Sequence, residues 1–185
     1  MSIYGNFSKN IDNKYLINIF LRQELADGQL DAFLPMFSTE WHPFEQDFYL
    51  KSSIAKNYHR PTLNDLYYQP GGNPDLKAEE GLQADFGIGG AIQSGQWEFN
   101  YAVSGYASAI DNWIIWLPTF QGYWEPFNMK RVNSTGAELN MGSKGNWKNL
   151  QIRVNGNYAY TRSINRDNPR NWADESIGKQ LPYIP

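Results

Sequence analysis

The sequence contains no cysteine, so it offers neither a disulfide nor a thiolate metal ligand. Histidine is almost as scarce, with only His42 and His59 present. No stretch of about 18 apolar residues occurs, which excludes a helical membrane span. Positive charge is not in excess: 16 Lys and Arg face 19 Asp and Glu, a net of −3 that gives nucleic acid no electrostatic footing. Helical periodicity is weak throughout. Met1–Phe7 lacks the basic start and apolar core of a secretory signal, so the chain is expected either to stay in the cytoplasm or to be a piece of something longer. What the 185 residues do hold is 16% aromatic side chains and abundant asparagine, a composition unlike disorder. A mean hydropathy of −0.61 suits a soluble β protein and a transmembrane β-barrel equally, because spanning strands are only half apolar.

Two-residue alternation is the dominant pattern. Trp97, Phe99, Tyr101, Val103, Gly105, Ala107 and Ala109 alternate with Glu98, Asn100, Ala102, Ser104, Tyr106 and Ser108. Leu150, Ile152, Val154, Gly156, Tyr158 and Tyr160 alternate with Gln151, Arg153, Asn155, Asn157, Ala159 and Thr161. Leu82, Ala84, Phe86 and Ile88 repeat the rule, and Tyr15–Leu21 and Phe48–Ile54 follow it more loosely. Such runs predict strands with one apolar and one polar face. About eight are expected, near 2–9, 13–25, 29–41, 46–58, 77–93, 96–116, 128–142 and 147–164, with a ninth starting at Leu181. Pro35 is awkward inside the third if that strand is central.

Connections of unequal length separate these runs. Short turns are expected at Ile11–Asn13, His42–Glu45, Ser94–Gly95 and Ser143–Asn146, and longer links at His59–Lys77, Leu117–Phe127 and Asn165–Lys179. The short Ala26–Gln29 link breaks the alternation. Short turns on one side and long loops on the other are the habit of up-and-down outer-membrane barrels. Trp41, Trp97 and Trp147 lie beside short turns, while Trp113, Trp116, Trp124 and Trp172 lie at or beyond the opposite ends. An even spacing predicts one face for Trp97 and Trp113, roughly 40 Å apart along a tilted strand. Two aromatic girdles have this form, as do the sheet ends of a soluble barrel. The fold class expected is all-β, an antiparallel up-and-down transmembrane β-barrel segment.

One stretch is distinctive: Tyr58-His59-Arg60-Pro61-Thr62-Leu63-Asn64-Asp65-Leu66-Tyr67-Tyr68, followed by Gly71-Gly72-Asn73-Pro74-Asp75-Leu76-Lys77-Ala78-Glu79-Glu80. Its prolines remove ladder donors and its glycines permit positive φ, so 59–77 is expected to be a loop, ordered by Leu63, Leu66, Tyr67 and Tyr68. The stretch resembles the C-terminal half of TonB-dependent outer-membrane receptors. Ile110–Ile114, Asn133–Glu138 and Gln180–Pro185 resemble further pieces of that family in the family's order, so the likeness covers most of Tyr49–Pro185. It implies a Gram-negative outer-membrane location, surrounding lipid as a partner, and import of a scarce nutrient such as cobalamin or a ferric siderophore. In that family a plug domain within a twenty-two-stranded barrel binds TonB. No plug is recognisable here, so 1–185 is expected to be a partial barrel with TonB reached only through the missing region.

No catalytic constellation has spacing behind it, so no enzyme activity and no cofactor are expected. His42 sits in a turn, and His59 is open to either a ligand or a structural role. A haem-type histidine between the two family boxes is absent. Glu79 and Glu80 point to opposite faces as strand neighbours. Asp85–Gly90 is no dinucleotide fingerprint, because its glycines alternate along a strand and no helix follows. Asn133–Thr135 matches a glycosylation acceptor only formally. Arg162, Arg166 and Arg170 cluster near a loop, where an anionic ligand and scattered loop charge are both open. Aromatic side chains offer large contact area at low entropic cost, which makes Tyr67, Tyr68, Trp116, Tyr123 and Trp124 the candidate ligand-binding residues. The reading from another class is a soluble β-sandwich or barrel that binds a ligand or carbohydrate.

Overall fold

The computed structural model describes residues 1–26, 28–44, 48–166 and 177–181. Alternating apolar and polar residues fold into one sheet of eight strands in the order of the chain: β1 (Ser2–Ile11), β2 (Tyr15–Ala26), β3 (Gln29–Trp41), β4 (Phe48–His59), β5 (Glu79–Ser94), β6 (Trp97–Pro118), β7 (Trp124–Trp147) and β8 (Leu150–Asn165). The sheet is an antiparallel up-and-down meander, and among the described residues β1 and β8 each have one strand neighbour. No helix of the described residues is long and apolar enough to cross a membrane.

The register explains why the alternation exists. Phe7 stands opposite Ile19, Ile19 opposite Phe37, and Phe37 opposite Ile54. This apolar rung is open to solvent, at 57, 38, 43 and 49% respectively. The adjacent rung, which must face the other way, is polar: Ser8, Asn18, Ser38 and Ser53 stand in line. Asn18 Nδ2 donates to Ser38 Oγ at 3.4 Å, and Ser53 Oγ donates to Asp85 Oδ2 at 2.5 Å. Along β5 the apolar Leu82, Ala84 and Phe86 are exposed, whereas Gln83 and Asp85 are half-buried and Gly87 is buried. Water-soluble sheets do the opposite and hide the apolar face.

The chain divides into two units, Met1–Ala55 with Ala84–Ala107 and Thr135–Thr161, and Lys56–Gln83 with Ser108–Ser134 and Arg162–Pro185. In the first, Ile11–Lys14 forms a turn whose Asp12 and Asn13 take φ of 52° and 55°, the conformation of a tight hairpin that these two residue types tolerate. Tyr106 lies across Gly136, where a Cβ would meet its ring at 2.5 Å, and its hydroxyl reaches Thr161 Oγ1 at 2.6 Å. In the second, Met129, Val132 and Leu181 form a small buried cluster with Trp113 and Ile115 against it. Leu181 is brought there by the 177–181 segment, which bridges β8 at Ile164–Gln180 and Asn165–Ile177. The ninth strand expected from Leu181 onward, like Arg170 and Trp172, lies outside the described residues.

Several boundaries differ from expectation. The turn expected at Ser143–Asn146 is strand, because β7 runs on to Trp147. Gly145 there makes room for the Trp97 ring, which a Cβ would overlap, so a residue read as a turn-former serves close approach. The long link expected over Leu117–Phe127 shrinks to Thr119–Tyr123, since β6 runs to Pro118 and β7 starts at Trp124. Trp116 and Trp124 therefore sit in strands. Pro35 is tolerated within β3 because the ladder to β4 stops at Met36. Asn112, at φ 58°, interrupts the alternation on which the shared face expected of Trp97 and Trp113 depends.

Candidate functional site

The link between β4 and β5 is ordered from within. Thr62-Leu63-Asn64-Asp65 is a capping box, and it starts the short helix α1 (Leu63–Tyr67) inside the segment expected to be loop alone. Thr62 Oγ1 accepts from the Asp65 amide at 3.1 Å, while Asp65 Oδ2 accepts from the Thr62 amide at 2.8 Å and the Thr62 hydroxyl at 2.7 Å. The remaining carboxylate oxygen, Oδ1, accepts the Trp116 indole N–H from β6 at 2.9 Å. Burial by itself would raise the Asp65 pKa. The hydrogen bonds from Thr62 and Trp116, with the charge of His59, outweigh burial and hold the carboxyl below its ordinary 3.8.

Asparagines tie the rest of the link down. Asn73 Nδ2 donates to the Pro126 carbonyl at 3.1 Å, and its Oδ1 accepts from the Asp75 amide at 3.0 Å. Asn128 Oδ1 accepts from the Lys77 amide at 2.8 Å, and its Nδ2 donates to the carbonyls of Lys77 at 3.0 Å and Asn112 at 2.6 Å. Glu79 Oε1 accepts from the Ile114 amide at 2.7 Å, and its Oε2 lies 3.6 Å from His59 Nδ1. His59 thus has a structural partner. Glu80, on the other face, pairs with Lys56 at 3.0 Å. The glycines at 71–72 do not use the positive φ that they permit. Close approach demands them instead: a Cβ on Gly71 would sit 3.3 Å from the Tyr123 ring and overlap the Trp124 carbonyl.

These ties gather most of the aromatic candidates. Tyr68 meets the Trp116 ring edge-on at 6.0 Å. Tyr123 and Trp124 flank Gly71 at the start of β7. Tyr67, Tyr68 and Trp124 remain exposed at the surface of this cluster. Asp65, Asn73 and Asn128 were not singled out by sequence reading. The Thr62-x-x-Asp65 spacing was the available signal for the first of them, whereas the asparagine ties span some fifty residues and leave no local trace. Among the described residues no group of acidic, histidine or cysteine side chains is arranged to hold a metal.

Comparison with known proteins adds an independent line. A family model described as "TonB dependent receptor-like, beta-barrel" matches residues 3–185. The vitamin B12 transporter BtuB of Photobacterium profundum is 33% identical over 97 residues, covering 50% of this chain and 15% of that protein. Its counterpart in Vibrio vulnificus is 33% identical over 89 residues, covering 48% of this chain and 14% of that protein. The chain therefore aligns with only about one-seventh of the length of these relatives. Among solved structures, the copper transporter OprC superposes with a TM-score of 0.72 at 14% identity, over 90% of this chain and 28% of that one. The siderophore receptor PirA from Pseudomonas aeruginosa gives 0.64 at 15% identity, over 88% of this chain and 38% of that one. At these identities the structural likeness speaks to fold alone.

Proposed function

Because the chain belongs to the TonB-dependent receptor-like β-barrel family, we propose that it forms part of the wall of an outer-membrane transporter that imports a scarce nutrient. The observation that carries the membrane part is the exposed apolar rung Phe7–Ile19–Phe37–Ile54 backed by the polar rung Ser8–Asn18–Ser38–Ser53. Lipid is the solvent that rewards such an inverted sheet. At 22 and 24 residues, β6 and β7 far exceed the roughly 9–11 that a tilted strand needs to cross a bilayer.

Within that reading, Tyr67, Tyr68, Trp116, Tyr123 and Trp124 form the surface that meets the nutrient. Two BtuB relatives favour a cobalamin, and a ferric siderophore is the next choice. Coupling to TonB runs through a plug domain elsewhere in the transporter. The test has two parts. Far-UV circular dichroism and sedimentation are compared with and without nonionic detergent, with a dispersed β protein expected only with detergent. Tryptophan fluorescence is then titrated with cyanocobalamin and with a ferric siderophore, and Tyr68→Ala is expected to weaken the response. A monomeric, cooperatively folded chain in plain buffer would overturn the membrane reading and favour a soluble binding module. An unaltered response in Tyr68→Ala would remove the aromatic cluster from the binding surface.

A further inference from the structure

We propose that a recess on the polar face of the first unit binds a neutral saccharide built of hexoses. The recess measures about 800 Å³, and all of its lining belongs to that unit. Ligand pockets commonly span about 300–1,000 Å³. It is built by the β1–β2 turn, the β3–β4 link and strands β4–β7. Of its members, Tyr49 keeps step with Ser53 along β4, and Asn100 with Ser104 along β6, which sets the recess on the polar side of the sheet.

Two kinds of group converge there. The first is aromatic: Tyr49 lies across Gly89, where a Cβ would overlap its ring, and the His42 ring stands 6.0 Å away at 45°. Glu40 holds His42 through a 2.6 Å contact at Nε2, and Phe44 adds another ring. The second kind is amide: Asn13, Asn100 and Asn140. Among the described residues none of these three side chains has a hydrogen-bond partner in the chain. Gly90, Ala91 and Ala102 carry little or no side chain and keep the hollow open. Asn100 also lines a second recess of about 320 Å³ with Ser143 and Asn155, so the polar floor continues for a further sugar unit.

That pairing of groups selects the ligand. A hexose ring has an apolar C–H face and a rim of hydroxyls that both donate and accept. Aromatic rings cover the face, and each amide brings a donor and an acceptor to the rim. A wholly apolar ligand would leave the amides without partners. Asp12 and Lys14 add one charge of each sign, so the lining favours neither an anion nor a cation. On the membrane-wall reading this face is the interior one, and the saccharide is met inside the barrel. The recess itself does not depend on that reading.

Saturation-transfer NMR of the full chain tests the proposal in a polyoxyethylene detergent, which carries no sugar. The probes are maltotriose, cellotriose and mannotriose, with trigalacturonate and tetra-alanine for comparison. At least one neutral trisaccharide should bind about tenfold more tightly than either comparison compound. Tyr49→Ala and Asn140→Ala should each weaken that binding about tenfold. Absence of transfer to all three trisaccharides would overturn the proposal. Equal binding of trigalacturonate would overturn the neutral class, and equal binding of tetra-alanine would assign the recess to a polypeptide instead. Unchanged affinity in both variants would place the sugar elsewhere. Asn140 is exposed, so if Tyr49→Ala fails to fold, Asn140→Ala decides.

Discussion

Trp116 and Asp65 are joined by a 2.9 Å hydrogen bond from the indole N–H to Oδ1, which fastens β6 to the link that follows β4. The same carboxylate closes the capping box of α1, so one side chain serves two attachments. Asp65→Ala should free the 59–78 segment and cost about 1–3 kcal/mol locally, the penalty for stranding buried donors. Limited proteolysis reads this as new cleavage within the segment. A protease-resistant Asp65→Ala chain would show that the asparagine ties suffice.

Acid should act on the same point. The Asp65 carboxyl lies below its ordinary 3.8, so its contribution is present above that value and fades as pH falls through the lower, folded one. Hydrogen exchange of residues 62–68 should therefore be flat from neutral pH down to about 4 after correction for intrinsic rates, and rise below it. Asp65→Asn should lose the acid-dependent rise. A rise that persists in Asp65→Asn would show that another group governs the segment.

Tyr106 bridges two strands. It spans Gly136 of β7 to reach Thr161 of β8, so the glycine is the floor on which the ring lies. Gly136→Val should destabilise the sheet by about 1–3 kcal/mol through overpacking. Tyr106→Ala in the same chain should recover part of the loss. A double-mutant cycle in denaturant, read by circular dichroism in detergent, checks the coupling, and strict additivity would mean that the ring moves aside without cost.

Val103 and Ser104 test the faces of β6 directly. Val103 is exposed and Ser104 is half-buried. If Val103 meets mid-bilayer lipid, Val103→Arg should cost about 2–4 kcal/mol and Ser104→Arg much less. Unfolding from lipid vesicles measures both. Equal costs would refute the face assignment.

The strands were legible because alternation is a local property, and β5 and β8 show it residue by residue. Faces were legible only up to a bulge. Asn112 takes a left-handed backbone in the middle of β6, and nothing in Ile110–Ile114 announces that break in the alternation. Gly145 and Lys144 read as a turn because their types favour one; the cause of the glycine is the Trp97 ring, which arrives from another strand. The aromatic cluster was half legible. Tyr68 and Trp116 were singled out for their surfaces, but Asp65 and Asn73, which hold those surfaces in place, act across long separations in the chain.

The rung of Phe7, Ile19, Phe37 and Ile54 has a bearing on which insertions and deletions the chain can absorb. Each of its members is supplied by a different strand, so the oily belt is assembled transversely and no segment contains it. Removing Asn18 would turn Tyr15 and Ile17 of β2 inward and set Leu16 among the outward groups. Removing two neighbours would only shorten the hairpin and keep both faces. Within the strands, then, length should change by even numbers. At Thr119–Tyr123, beyond the paired strands, no such parity applies.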